Sequence, residues 1–145
     1  MSLLPRKGLL AIAAVLDVAL NARGRPVSAK ALAARHDLPP RHLEPVLQAL
    51  VHDGILRGIR GPHGGYELAR ERRRISIEDI VRAAANVRDR EDVLAASTLM
   101  ASVVLPAVVE AEQAFSGALS RINVDDLARR AEATAQGEER ADFTI

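Results

Sequence analysis

Residues 57–66 read Arg-Gly-Ile-Arg-Gly-Pro-His-Gly-Gly-Tyr, and few backbone paths are open to such a stretch. Glycine permits positive φ and close backbone approach, while proline fixes φ. The chain must therefore turn tightly between Ile59 and Tyr66, after which Tyr66-Glu67-Leu68 resumes an extended run. The expected product is a hairpin with strands near Ile55–Arg60 and Gly65–Ala69. Its tip carries almost no side chain, and Arg57 and Arg60 stand at its shoulder. A narrow cationic loop of this kind fits a groove that concentrates negative potential. It is not a P-loop, because Arg60–Gly65 lacks the lysine and Ser/Thr and does not open a helix.

The residues before the hairpin read as three helices. In the first, Leu9, Ile12, Ala13, Leu16 and Leu20 fall at helical spacing and are expected to face the core, which leaves Asp17 on the opposite side. Asp17 also interrupts what would otherwise resemble a signal peptide. The run falls short of the roughly 20 residues that a membrane span needs, so a cytoplasmic chain with no membrane partner is expected. Asn21–Pro26 is a turn, and Ser28 is an N-cap for a short helix over 29–36 with Ala29, Leu32 and Ala33 inward. After the turn His36–Pro40, with Pro40 suited to a first helical position, a third helix runs from Arg41 to about Asp53. Leu43, Val46, Leu47 and Leu50 face inward, Gly54 closes the helix, and Pro45 should loosen or bend its first turn. Arg41, His42 and Glu44 face outward at the end that a recognition helix presents to base edges. Helix, short helix, turn, helix and glycine-tipped hairpin form the order of a winged helix-turn-helix.

Beyond the basic run Arg70–Arg74, Ser76 and Asp79 have the spacing of a capping box for a fourth helix ending near Asn86. Residues 87–92 form a charged hinge. Val104, Val108, Ala111, Phe115, Ala118 and Ile122 then step by 4, 3, 4, 3 and 4, an a/d heptad ladder. Such a seam either packs back on the first and fourth helices or joins two copies, and the small size of the reading unit favours a homodimer. Pro106 leaves two options, a kink or a helix start. Asn123 can cap a last helix with Val124, Leu127 and Ala131 inward, and a polar, frayed end is expected after about Ala135.

The net charge of +1 hides an asymmetry, since residues 1–74 hold 13 Lys+Arg against 6 Asp+Glu and residues 75–145 hold 7 against 13. A basic front and an acidic back suit a polyanion-facing module with an arm turned away from it. The chain has no cysteine, which excludes disulfides, thiolate metal sites and cysteine nucleophiles. The four histidines, His36, His42, His52 and His63, show no ligand-pair spacing that marks a metal site. No Ser/His/Asp or paired-carboxylate arrangement points to catalysis.

Several segments together resemble the Rrf2 family of bacterial winged-helix transcription regulators. They are Val27-Ser28-x-x-x-Leu32-Ala33, Arg41-His42-Leu43-Glu44-Pro45-Val46-Leu47-x-x-Leu50, Gly54-Ile55-Leu56, and Arg60-Gly61-Pro62-x-Gly64-Gly65-Tyr66-x-Leu68-Ala69-Arg70. Ile75-Ser76-x-x-Asp79-Ile80-Val81 and Ile122-Asn123-Val124-x-Asp126-Leu127 extend the similarity over nearly the whole chain. The resemblance implies a homodimeric repressor of palindromic operators. Double-stranded DNA would be met by Ser28, by Pro40, Arg41, His42 and Glu44, and by the wing residues Arg57, Arg60, Gly61, His63, Gly64, Gly65 and Tyr66. Many members hold an iron–sulphur cluster on three cysteines just before the dimer helix. The equivalent stretch here, about Val87 to Ser102, has none, so no cofactor is expected. Leu9 stands where the family often has an aromatic residue. The effector, a small molecule, a protein or none, stays open. A winged-helix protein-interaction module without DNA binding is the alternative function. The expected fold is mainly α with a small β-wing: a DNA-binding domain over 1–86, a dimerisation helix and final short helix over 87–136, and a flexible tail over 137–145.

Overall fold

The computed structural model describes residues 3–22, 24–87 and 98–143. Helices α1 (Arg6–Asn21), α2 (Ala29–Arg35) and α3 (Pro40–His52) precede a two-stranded antiparallel hairpin of β1 (Leu56–Ile59) and β2 (Gly65–Leu68). A 3-10 turn at Arg72–Arg74 leads into α4 (Ile77–Ala85). A π-helical segment, Met100–Val104, runs into α5 (Leu105–Ser120), and α6 (Val124–Phe143) completes the chain. The charged stretch expected as a hinge lies, beyond Val87, outside the described residues.

One aliphatic core joins α1 to α4, the wing hairpin and the start of α6. Leu32 of α2, Leu43, Leu47 and Leu50 of α3, Leu56 of β1 and Ile80 of α4 are fully buried. Each such side chain contributes roughly 1.5–3 kcal/mol by leaving water. Ala11 and Ala14 of α1, with Ala83 and Ala84 of α4, are also buried, and α1 and α4 form the most extensive helix contact. Alanines leave room for the two backbones to come close. The buried face of α1 is Ala11, Ala14, Val15 and Val18, not the predicted stripe, whose Leu9 is 44% exposed. Helix α1 is apolar on nearly every side, so spacing alone could not choose between the two stripes. Asp17, expected in solvent, is buried at 6% exposure.

Local signals set the element ends as expected. Pro40 occupies the first turn of α3, and the helix continues through Pro45 to His52. Gly54 follows at φ +73°, a conformation that favours glycine. Ser76 Oγ accepts from the Asp79 N–H at 3.0 Å, and the Asp79 carboxylate accepts from the Ser76 N–H at 3.1 Å. Asn123 and Asp126 repeat this exchange at 2.9 and 3.1 Å at the start of α6. The two caps lie side by side: Ile77 N–H donates to the Ile122 carbonyl at 2.8 Å, and Val124 N–H to the Ile75 carbonyl at 2.9 Å. Val124 and Ala128 therefore enter the same core as α1 to α4. The backbone of α6 stays helical through Phe143, where a frayed end was expected after Ala135.

One expectation about α5 is met and another needs revision. Helix α5 begins at Leu105 with Pro106 in its first turn, while Thr98, Leu99 and the π-helical segment Met100–Val104 carry helical backbone up to that point. A widened turn accommodates the missing N–H and the ring. Ile122 is not on α5, which ends at Ser120. It sits half-buried in the following turn, against the core. Val104 and Val108 are 40% and 45% exposed, Ala111 and Ala118 are exposed, and only Phe115 of the ladder on α5 is half-buried.

Candidate nucleic-acid interface

Helix α3 buries Leu43, Val46, Leu47 and Leu50, so its other face, with Pro40, Arg41, His42 and Glu44, is solvent-exposed. None of these four side chains has a hydrogen-bond or ion-pair partner among the described residues. Arg41 and His42 share a groove with Arg6, Lys7 and Leu10 at the start of α1 and with Leu38 in the α2–α3 turn. Lys7 Nζ there donates to the Val87 carbonyl at 2.7 Å, just beyond the end of α4.

The wing is fixed by backbone contacts that only glycine allows. Val27 N–H donates to the Tyr66 carbonyl at 2.9 Å, and Tyr66 N–H to the Val27 carbonyl at 2.8 Å, so residue 27 adds a third rung beside β2. A Cβ on Gly65 would lie 2.4 Å from the Val27 carbonyl oxygen, and one on Gly64 would lie 2.2 Å from that of Ile59. Gly61 turns the tip at φ +120°. Tyr66 packs on the core and anchors the wing base. Ser28, next to Val27, caps α2 by accepting from the Ala31 N–H at 3.1 Å. The wing and the start of α2 are thus one unit, and Ser28, Arg60, Gly64, Gly65 and Tyr66 line a common hollow.

The two wing arginines differ. Arg57 faces Glu67 across the hairpin and donates to it through Nε at 2.9 Å and also through Nη2. Its charge is locally offset. Arg60 and His63 are exposed and have no partner among the described residues. The basic run after the wing turns inward: Arg72 pairs with Asp125 at 3.5 Å and Glu132 at 3.7 Å, Arg73 with Asp125 at 3.8 Å, and Arg70 with Asp79 at 3.8 Å. Part of the basic front is therefore neutralised by the acidic back within the fold.

Composition and spacing did not reveal a second cationic groove, of about 630 Å³, between the α1–α2 loop and the wing tip. Arg25, Ser28, Arg35, His63 and Gly64 are among its lining residues. Behind it, Asp17 accepts from Arg35 Nη2 at 2.7 Å and Nε at 2.9 Å, from Asn21 Nδ2 at 3.1 Å, and bonds His36 Nε2 at 2.9 Å. Burial alone would raise the Asp17 carboxyl. The hydrogen bonds and charge of Arg35, with the bonds from His36 and Asn21, instead hold it below its ordinary 3.8. The signal that could have exposed this cluster was Asp17 itself, an acid inside an apolar helix with Asn21 one turn on.

Three helices, the third with an exposed polar face, and a pinned glycine wing define a winged helix-turn-helix. The comparisons narrow this class. The profile described as "Rrf2: Iron-dependent Transcriptional regulator" matches residues 4–130, and the chain belongs to that family of transcriptional regulators, which are not enzymes. It is 41% identical over 80 residues to a candidate HTH-type transcriptional regulator of Haemophilus influenzae, covering 55% of this chain and 53% of that protein. It is 34% identical over 80 residues to the HTH-type transcriptional regulator IscR of Escherichia coli, covering 55% and 49%. The chain thus spans about half the length of the curated relatives it matches. Its fold resembles T. potens IscR at TM-score 0.71 and 28% identity, over 90% of this chain and 89% of that one. CymR, the global cysteine regulator of B. subtilis, gives 0.67 at 25% identity over 90% and 98%.

Among the described residues the donors do not fit the family's iron. The chain has no cysteine, and among the described residues no group of three His, Cys, Asp or Glu side chains could hold a metal ion. Among those residues no helix is long and apolar enough to cross a membrane.

Proposed function

We propose that this protein is a cytoplasmic, homodimeric transcriptional repressor that binds a palindromic DNA operator without an iron–sulphur cluster. The observation that carries the reading is the wing, pinned to Val27 and bearing Arg60, beside an α3 face with Arg41, His42 and Glu44, none of which has a partner among the described residues. Helix α3 enters the major groove, where arginine pairs with guanine and glutamate accepts from cytosine. The wing tip, where only Pro62 and His63 carry side chains, follows the minor groove. The relatives named as HTH-type transcriptional regulators support this assignment.

The apolar face of α5 supports the dimer. Val103, Val104, Val108 and Val109 are each at least 40% exposed, and the helix contributes no buried residue of its own. A second copy would cover the ladder Val104, Val108, Ala111, Phe115 and Ala118. A twofold axis then places two readers on two half-sites. The alternative, a protein-interaction module, rests on the same exposed helix.

The test is a titration with duplex DNA against salt. Repressor binding weakens steeply as salt rises, because phosphate contacts release counterions, and Arg60→Ala weakens it without unfolding the protein. A folded dimer whose DNA binding is absent or indifferent to salt would favour the interaction module.

A further inference from the structure

We infer that the groove between the α1–α2 loop and the wing tip is a clamp for DNA backbone phosphate, with Arg25 and Arg35 as its cations. The inference rests on the DNA-binding reading above and adds two contacts outside both the recognition face and the wing. The groove holds two arginines and His63, and no carboxylate is among its lining residues. Ser28, Ala31 and Gly64 are among its other lining residues, and their small side chains leave room for a sugar–phosphate chain. Arg25 is exposed and has no partner among the described residues. The Ser28 oxygen accepts from the Ala31 N–H, which leaves the hydroxyl hydrogen to donate.

Arg35 is held for this role from behind. Its Nε and Nη2 are committed to the buried Asp17 carboxylate, while Nη1 has no partner among the described residues and the side chain is 42% exposed. A guanidinium can serve two acceptors in one plane, which an ammonium cannot do with the same geometry. The groove runs from the α1–α2 loop past the start of α2 to the wing tip. One wall belongs to the element that caps α2 and the other to the wing tip. The Val27–Tyr66 pair keeps the two walls at a fixed separation.

The experiment measures binding of a 40-base-pair duplex of random sequence to the full chain, since phosphate contacts need no particular sequence. Each phosphate contact contributes about 0.9 to the slope of log affinity against log salt, so one contact is worth about a 3.5-fold loss over a fourfold salt increase. Arg25→Ala should lower the slope by about one contact. Arg35→Ala would strand the buried Asp17 charge, so Arg35 is tested in the neutral pair D17N/R35Q, with circular dichroism confirming the fold. That pair should also lose about one contact. A wild-type slope in either folded variant, with the wild-type protein binding normally, overturns the clamp and leaves the repressor reading intact. If the wild-type protein itself shows no salt-dependent binding, both fall.

Discussion

Gly65→Ala tests whether the wing is held by the Val27 rung. The new Cβ would stand 2.4 Å from the Val27 carbonyl oxygen, 2.5 Å from its carbon and 2.8 Å from the Ser28 nitrogen. These are backbone atoms, so no rotamer change relieves the clash. Ordinary contact begins near 3.4 Å, and the strands must part by about 1 Å. Bonds of 2.8 and 2.9 Å between Val27 and Tyr66 do not survive that separation. At about 1 kcal/mol net for each bond, the loss is about 2 kcal/mol. With a urea m-value of about 2 kcal/mol/M, the midpoint should fall by about 1 M with m unchanged. Wild type and variant are compared at one protomer concentration, because dimerisation would raise apparent stability. Gly58→Ala is the control: it sits on the same hairpin, and a Cβ there has nothing within 4 Å. A Gly65→Ala midpoint equal to wild type, or an equal fall in Gly58→Ala, would refute the pinned wing.

Phe115→Asp places a charge in the α5 seam and should give a monomer by sedimentation; an unchanged dimer would remove the seam. Because the folded Asp17 carboxyl titrates below its ordinary 3.8, its stabilising contribution is present at neutral pH and is lost as pH falls through 3.8 and then through the lower folded value. The stability gap between wild type and Asp17→Asn should therefore be widest near pH 7 and shrink in acid, as followed by urea midpoints at several pH values. Ser76→Ala removes the side-chain acceptor of the α4 cap and should cost about 1 kcal/mol in the same assay. An undiminished midpoint would show that water replaces that bond at no cost.

Helix α3, the wing hairpin, the Ser76–Asp79 capping box and the Asn123 cap were legible in the sequence because their signals are local. Glycine, proline, serine and asparagine act on the few residues beside them. The buried side of α1 was not legible, since Leu9, Ile12 and Leu16 compete with Ala11, Val15 and Val18 on a helix with little polar surface. Small volume, which suits the approach of Ala83 and Ala84, decided between them, and periodicity does not report volume. Ile122 continued the heptad count past the point where the Asn123 cap stops the helix. The Arg25–Arg35 groove was hidden because its wing wall lies nearly 30 residues further along the chain. The inward turn of Arg72 and Arg73 was hidden for the same reason, their partners Asp125 and Glu132 being more than 50 residues away.

The paired caps at Ser76 and Asn123 have a topological consequence. They join the two ends of a 46-residue segment, Ile77 to Ile122, whose first helix, α4, stays in the core. Closing such a ring costs entropy that grows only slowly with its length. Residues can be added, removed or exchanged between α4 and α5 without shifting where α6 docks. The stretch in which many relatives carry their cluster cysteines lies inside this ring. A chain can thus give up one means of sensing, or take on another, while the packing of α6 on the first four helices stays built as before.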